Sequence, residues 1–135
     1  MKLRIRGNSL RLRLTRAEVA RLVETGALQE TTQLGILPEE QFFYRLELQQ
    51  IPRMNAFFRG ATLTVVLPEA AARVWSAGME VGLYSEQSWG LTIAVEKDFK
   101  CLEPRPGEVD TDAFERPEVF NPKNCAISPD DTEAR

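Results

Sequence analysis

The sequence predicts an α+β protein with two short helices and a mostly antiparallel sheet that is curled or barrel-like. Stretches that alternate polar and apolar residues, as half-buried strands do, recur through residues 1–102. Two segments combine a helix-start signal with a glycine stop. The order strand, helix, strand, strand occurs twice, which predicts two βαββ repeats behind one additional N-terminal strand.

The first two strands are predicted at residues 2–6 and 10–14, where polar and apolar residues alternate. Gly7 and Asn8 lie between them and suit a two-residue hairpin turn. This turn puts leucine and isoleucine on one face and cations on the other. The predicted register pairs Leu3 with Leu12, Ile5 with Leu10, Arg4 with Arg11 and Lys2 with Arg13.

A helix is predicted directly after this hairpin. Thr15 is a suitable N-cap, Glu18 lies three residues later as in a capping box, and Gly26 ends the pattern. Val19 and Leu22 begin an apolar stripe with helical spacing. Two more strands are predicted at residues 28–34 and 42–48.

The same order of signals recurs in the second half of the body. A strand at residues 62–67 runs into Pro68, a helical segment follows, and Gly78 ends it. Two further strands are predicted at residues 80–86 and 91–99. Because four element types agree in order and length, we interpret the body as an internal duplication, although strand–helix–glycine is also a common arrangement by chance.

The charge distribution divides the chain into two regions. Residues 1–102 carry thirteen bases and eleven acids, whereas residues 103–135 carry nine acids, four bases and five of the eight prolines. We therefore predict an α+β body followed by an acidic, proline-rich tail. Phe114 and Phe120 suggest that part of the tail docks on the body, and the alternative is a free tail.

Composition excludes several classes of protein. The chain has 135 residues, no apolar stretch long enough for a membrane span and no signal-peptide pattern, so we expect a cytoplasmic protein. It has no histidine, the commonest general base and metal ligand. Cys101 and Cys125 fit no zinc spacing, and free thiols, a disulfide that docks the tail, and a metal site all remain open.

The cations of the first hairpin form the candidate anion-binding site. Guanidinium groups bind phosphate and carboxylate with two parallel hydrogen bonds. The candidate residues are Lys2, Arg4, Arg6, Arg11, Arg13 and Arg45. The alternative is that acids on adjoining strands neutralise them, and the candidates for this are Glu30, Glu47, Glu96 and Asp98. Nucleic acid is disfavoured because the net charge is −3 and no aromatic residue is interleaved with the cations.

Three carboxylates provide a candidate metal site. Glu47 lies on one predicted strand, and Glu96 and Asp98 lie on another. Carboxylates beside arginines are able to hold a divalent metal and a polyphosphate together. The alternative is that these three acids are ordinary solvated residues on a sheet surface. Phosphate-binding, dinucleotide-binding, zinc-protease and nucleophile-elbow motifs are absent from the sequence.

Two resemblances add to this interpretation. The opening MKLRIRGNSLRLRLTRAEVARL, the later VEKDFKCLEPRPGE and a tail with D-x-F and NP resemble a family of small uncharacterised bacterial proteins. The resemblance implies that the hairpin and the EKDFKCL segment are signatures of that family, and it implies no function. The duplicated architecture is similar to that of the triphosphate tunnel enzymes, but K-L-R-I-R stands where those enzymes carry E-x-E-x-K.

The sequence therefore favours a non-enzymatic cytoplasmic binding module whose basic hairpin face holds an anionic ligand or protein partner. We expect no catalytic residue, no cofactor and no membrane association, and leave a homodimer open. The alternative function is a metal-dependent enzyme that processes phosphates or triphosphates in a tunnel-like architecture.

Overall fold

The computed structural model describes residues 1–99 and 112–114. Two helices and eight strands lie within these residues, and the predicted α+β class is confirmed. The elements are β1 (Lys2–Arg6), β2 (Ser9–Leu14), α1 (Arg16–Thr25), β3 (Ala27–Gln33), β4 (Gln41–Gln49), β5 (Asn55–Arg59), β6 (Thr62–Pro68), α2 (Glu69–Ala77), β7 (Gly82–Glu86) and β8 (Thr92–Lys97).

The strands form two four-stranded sheets rather than one curled sheet. The first sheet has the order β1-β2-β8-β7 and the second has the order β3-β4-β6-β5. The outer pairings are antiparallel hairpins, whereas the central pairings, β2 with β8 and β4 with β6, are parallel. Within the part of the chain that the structure describes, neither sheet closes into a barrel. Each sheet therefore consists of one hairpin from each half of the chain.

The strand β5 is an element that the sequence did not predict. It lies at the edge of the second sheet, and Ala56 is its buried residue while the other four are exposed. Because an edge strand of this kind exposes both faces, it lacks the alternation that marks a half-buried strand. With β5 included, each half of the body has the order hairpin, helix, hairpin.

The first hairpin has the predicted register, with Leu3 opposite Leu12 and Arg4 opposite Arg11. Gly7 adopts a φ of +52°, which glycine accepts without a steric penalty. The corresponding turn of the second half lies between β5 and β6. There Gly60 has a φ of +53° and is followed by Ala61, whose φ of +61° is in the left-handed region.

The helix α1 has the predicted ends. The Thr15 side chain accepts a hydrogen bond from the Glu18 N–H, and the Glu18 carboxylate accepts one from the Thr15 N–H, so the capping box is complete. Gly26 ends the helix in the left-handed conformation and donates to the Leu22 carbonyl at 2.8 Å. These contacts satisfy backbone groups that every helix end leaves unpaired.

The helix α2 begins after Pro68, as the sequence predicts, and ends before Gly78. Gly78 is extended rather than left-handed, with φ of −102°, and so ends the helix in a different way from Gly26. The buried face of α2 carries Trp75, whose indole N–H donates to the Val81 carbonyl at 3.2 Å. This hydrogen bond joins the helix to the segment that leads into β7.

One apolar core lies between the two sheets and the helices. The helices contact one another, and each of them packs on strands of both sheets. The largest fully buried side chains are Leu12, Leu14, Leu22, Leu46, Val65, Leu67, Trp75, Ile93 and Val95. The interior of the described part of the chain is therefore a packed cluster of apolar side chains. The core does not include every apolar residue of these elements, because Ile5 is 59% exposed on an edge strand and Val74 is 62% exposed on the outer face of α2.

Polar contacts join the neighbouring edges of the two sheets. The α-amino group of Met1 forms ion pairs with Glu18 and, at 3.2 Å, with Glu30 of β3. At the opposite edge, the Gln87 side chain donates to the Met54 carbonyl at 3.1 Å. No helix in residues 1–99 or 112–114 is long and apolar enough to cross a membrane.

Residues 112–114 contact the body beside the end of β8. The Phe114 N–H donates to the Asp98 carbonyl at 2.8 Å, and the Phe114 ring lies 5.9 Å from the ring of Phe99. The Arg16 guanidinium lies 5.8 Å from the Phe114 ring, and the Lys97 ammonium lies 5.4 Å from it. The rest of the predicted tail, including Phe120, lies outside the described residues.

Candidate anion-binding cleft

Three rows of side chains cross the outer face of the first sheet. Residues that are paired across strands point to the same face, so the strand register defines each row. The rows run from β1 through β2 and β8 to β7, and they are Lys2–Arg13–Glu96–Gly82, Arg4–Arg11–Ala94–Tyr84 and Arg6–Ser9–Thr92–Glu86. Cations therefore occupy the β1 and β2 side, whereas tyrosine and glutamate occupy the β7 side.

A cleft of about 590 Å³ lies over the second and third rows. Arg4, Arg6 and Arg11 line one side of this cleft, and Tyr84 and Glu86 line the other. The residues between them are small. The cleft floor includes Ser9, Thr92 and Ala94. The face is concave because these short side chains lie between long ones.

Glu96 organises the charges beside the cleft. Glu96 is only 8% exposed, and one of its carboxylate oxygens lies 3.3 Å from the Arg11 Nε and 3.8 Å from the Arg13 Nε. The Tyr84 hydroxyl donates to the other oxygen at 2.8 Å. Burial and this hydrogen bond to a carboxylate raise the pKa of Tyr84 well above its ordinary value of 10.0. The phenol is therefore a hydrogen-bond donor at neutral pH.

Gly82 makes room for this arrangement. A Cβ atom at Gly82 would lie 2.8 Å from the Glu96 Cγ, 3.0 Å from the Tyr84 Oη and 2.6 Å from the Val95 carbonyl oxygen. Any larger residue would have to displace the Glu96 side chain or the backbone of β8. The glycine is thus required by close approach rather than by a left-handed backbone.

The structure separates the six predicted cations into three groups. Arg4, Arg6 and Arg11 line the cleft. Lys2 and Arg13 lie on the same face but at its other end, where Lys2 pairs with Asp98 at 3.2 Å and Arg13 pairs with Glu96. The remaining cation, Arg45, lies on β4 in the second sheet and pairs with Glu47 at 3.5 Å. Arg45 is therefore remote from the hairpin cations.

The three carboxylates of the predicted metal site do not converge. Glu47 lies on the outer face of the second sheet, whereas Glu96 and Asp98 lie at the end of the first. Among the described residues, no group of three histidine, cysteine, aspartate or glutamate side chains is placed to hold a metal ion. Cys101 and Cys125 lie outside those residues. Each of these acids instead pairs with a cation: Glu47 with Arg45, Glu96 with Arg11 and Arg13, and Asp98 with Lys2.

Tyr84 and Glu86 are cleft residues that sequence reasoning missed. Neither is close in sequence to the basic hairpin, and both reach it only because β8 pairs with β2 and β7 pairs with β8. The alternating pattern of β7 places them on one face, and this signal is present in the sequence. The sequence does not show which strands pair with β7 and thereby bring that face beside the basic hairpin.

Lys97 is a second buried charge, on the inner side of the first sheet. Its ammonium donates to the Gly78 carbonyl at 2.8 Å and lies 5.9 Å from the Trp75 ring. Burial lowers the pKa of Lys97, and the nearby Glu80 carboxylate opposes that shift in part. Lys97 lies outside the cleft and closes the core beside α2.

The fold and this face define an α+β protein of two mixed sheets with an arginine-lined cleft on the outside of one of them. Residues 1–118 match DUF7009, a family of unknown function, and the chain belongs to that family. No curated protein and no solved structure matches the chain. The resemblance to an uncharacterised family is confirmed, and a bacterial origin stays a prediction.

Proposed function

We propose that this protein is a non-enzymatic binding module that holds an anionic ligand in the cleft of the first sheet. The observation that carries the proposal is the set of three arginines, Arg4, Arg6 and Arg11, along one side of a cleft of about 590 Å³. Guanidinium groups match phosphate oxygens in both charge and hydrogen-bond geometry. The volume is that of an ordinary small-molecule site.

The contacts around Glu96 support the proposal because they fix one arginine in advance. Glu96 approaches Arg11 at the Nε atom, so the guanidinium is oriented before any ligand arrives. Orienting a binding group in the free protein reduces the entropy lost on binding. Glu96 also pairs with Arg13, so one carboxylate holds both arginines of β2.

The metal-dependent enzyme has less support as the alternative. It needs several carboxylates around one ion, and Glu47 lies on a different sheet from Glu96 and Asp98. The packed core also gives no support to a tunnel in the described residues. No contact in residues 1–99 or 112–114 specifically favours phosphate transfer or hydrolysis.

An internal duplication is a second proposal, and the topology supports it. Exchanging β1, β2, β3 and β4 with β5, β6, β7 and β8 converts the strand order of one sheet into that of the other. The turn glycines Gly7 and Gly60 and the helix-ending glycines Gly26 and Gly78 take corresponding places. A cytoplasmic location and a homodimer remain predictions.

Thermal denaturation with inorganic pyrophosphate tests the proposed function. A ligand at ten times its dissociation constant stabilises the folded state by about 1.4 kcal/mol, so we expect a rise in melting temperature that sodium chloride at the same ionic strength does not produce. The double variant Arg4→Gln, Arg6→Gln should lose most of the rise. Arg59→Gln is the matched control, because Arg59 precedes the corresponding turn on the other sheet.

Two outcomes would contradict the proposed function. The cleft is not an anion site if phosphate, pyrophosphate and sulfate all leave the melting temperature unchanged. If the parent protein hydrolyses pyrophosphate to phosphate in the presence of Mg²⁺, and the arginine variants do not, the protein is an enzyme.

A further inference from the structure

Tyr84 is an exposed aromatic residue that is nevertheless held in place. Its side chain is anchored at the hydroxyl, which donates to the Glu96 carboxylate at 2.8 Å. The residue is still 60% exposed, and it lines the cleft. An aromatic ring that is fixed at one end and open along its surface loses little side-chain entropy when a planar group stacks on it.

The cleft is chemically asymmetric. Arg11 on β2 and Tyr84 on β7 belong to the same row with β8 between them, so their backbones are about 10 Å apart. Glu86 lies two residues after Tyr84 on β7, in the same row as Arg6 and across the cleft from it. A ligand that uses both sides must carry a negative group at one end, and a planar ring with hydroxyl groups towards the other.

We infer that the cleft binds a free nucleoside phosphate, with its phosphates on Arg4, Arg6 and Arg11, its base stacked on Tyr84 and its sugar hydroxyls donating to Glu86. This inference rests on the proposed anion-binding function and names the ligand class. Base stacking on tyrosine tolerates any base, and carboxylates are common acceptors for sugar hydroxyls. The Glu86 carboxylate also repels phosphate, which sets the orientation of the ligand.

The volume of the cleft selects a single nucleotide over a nucleic-acid strand. About 590 Å³ is within the range of small-molecule sites. The chain has a net charge of −3, and the arginines that line the cleft lie on only two neighbouring strands, β1 and β2, whereas binding a nucleic-acid strand needs an extended basic surface. The structure therefore favours a mononucleotide.

Calorimetric titration of the full chain with pyrophosphate, ADP and UDP separates this inference from the proposed function. We expect both nucleoside diphosphates to bind about tenfold more tightly than pyrophosphate, because each adds base stacking on Tyr84. Tyr84→Leu should reduce that preference to near unity. Glu86→Gln should weaken nucleotide binding and slightly strengthen pyrophosphate binding.

Two further variants control for indirect effects. Tyr84→Phe keeps the ring and removes the hydrogen bond to Glu96, so it should retain most of the preference for nucleotides. Trp89→Leu removes another exposed aromatic residue, which lies in the turn between β7 and β8 and does not line the cleft. Trp89→Leu should bind all three ligands as the parent protein does.

The outcomes distinguish the two proposals. Equal affinities for pyrophosphate and the nucleoside diphosphates overturn the nucleotide inference and leave anion binding intact. If none of the three binds, anion binding fails, and the inference fails with it. Equal losses in Tyr84→Leu and Trp89→Leu overturn the assigned role of Tyr84, and an oligonucleotide that binds far more tightly than ADP overturns the choice of a free nucleotide.

Discussion

Glu96 and Glu47 occupy corresponding positions in the two sheets but have different neighbours. In the first sheet the row through Glu96 contains Arg13 and Gly82, whereas in the second sheet the row through Glu47 contains Val66 and Ala27. The second sheet therefore offers Glu47 no cation in its own row. This difference at single positions explains why Glu96 pairs with two arginines of the neighbouring strand, whereas Glu47 pairs with Arg45 of its own strand.

Ala61 is the residue at which backbone strain is expected. Its φ of +61° costs an L-residue roughly 1–2 kcal/mol, and asparagine adopts this conformation with a smaller penalty than alanine. The corresponding residue of the first hairpin turn is Asn8, which does not have a positive φ. We predict that Ala61→Asn raises the free energy of unfolding by up to about 1 kcal/mol, measured by urea denaturation.

A matched control for this variant is Ala77→Asn, because Ala77 is a helical residue at the end of α2 and gains nothing from a left-handed preference. Equal stability changes in the two variants would show that the turn at Ala61 carries no strain.

At the scale of elements, helix α1 depends on Glu18 for both its start and its contact with Met1. Burial opposes ionisation of Glu18, but hydrogen bonds from the α-amino group and from Thr15 outweigh it and lower the pKa of Glu18 below its ordinary value of 4.5. Because the folded-state pKa is the lower one, Glu18 stabilises the fold above pH 4.5, and this contribution is lost as the pH falls through the lowered pKa.

We predict that Glu18→Gln lowers the free energy of unfolding at pH 7 by about 1 kcal/mol, as expected for a damaged cap and ion pair. The difference between variant and parent should shrink progressively as the pH falls below the ordinary glutamate pKa of 4.5. Urea denaturation at several pH values measures this stability difference, with protein whose Met1 α-amino group is free. Glu24→Gln on the exposed side of the same helix is the control, and a pH-independent loss in Glu18→Gln would contradict the linkage.

Elements whose contacts are local could be predicted from the sequence, and their assembly could not. The capping box of Thr15 and Glu18, the Gly7 turn and the hairpin register all involve residues close in the chain. The pairing of Leu12 with Val95 depends on distant segments, and no local pattern identifies it. For the same reason, the arginines of the cleft were predicted but its tyrosine side was not.

At the scale of the whole molecule, the contacts of residues 112–114 predict that the C-terminal region stabilises the body. Burying a phenylalanine side chain contributes on the order of 1.5–3 kcal/mol. Phe114 is partly buried against the core and lies between Arg16 and Lys97. We predict that truncation after Leu102 lowers the melting temperature and increases aggregation, measured by scanning calorimetry and light scattering.

The variant Phe114→Ala in the full chain isolates this contact from the rest of the removed residues. It should reproduce a substantial part of the loss in melting temperature, because it removes the ring that packs on Phe99. An unchanged melting temperature in both the truncated chain and Phe114→Ala would show that residues after 102 do not stabilise the body.

The parallel pairing of β2 with β8 has a consequence for the protein during its synthesis. Leu12 pairs with Val95, which is synthesised 83 positions later, so β2 cannot pair with β8 until then. At 5–20 residues per second this delay is roughly 4–17 s on the ribosome. Throughout that time the edge of β2 that pairs with β8 has no partner strand, and the apolar face of the β1–β2 hairpin is not yet buried. The arginines on its other side keep the nascent hairpin charged, and like charges on neighbouring nascent chains oppose their association.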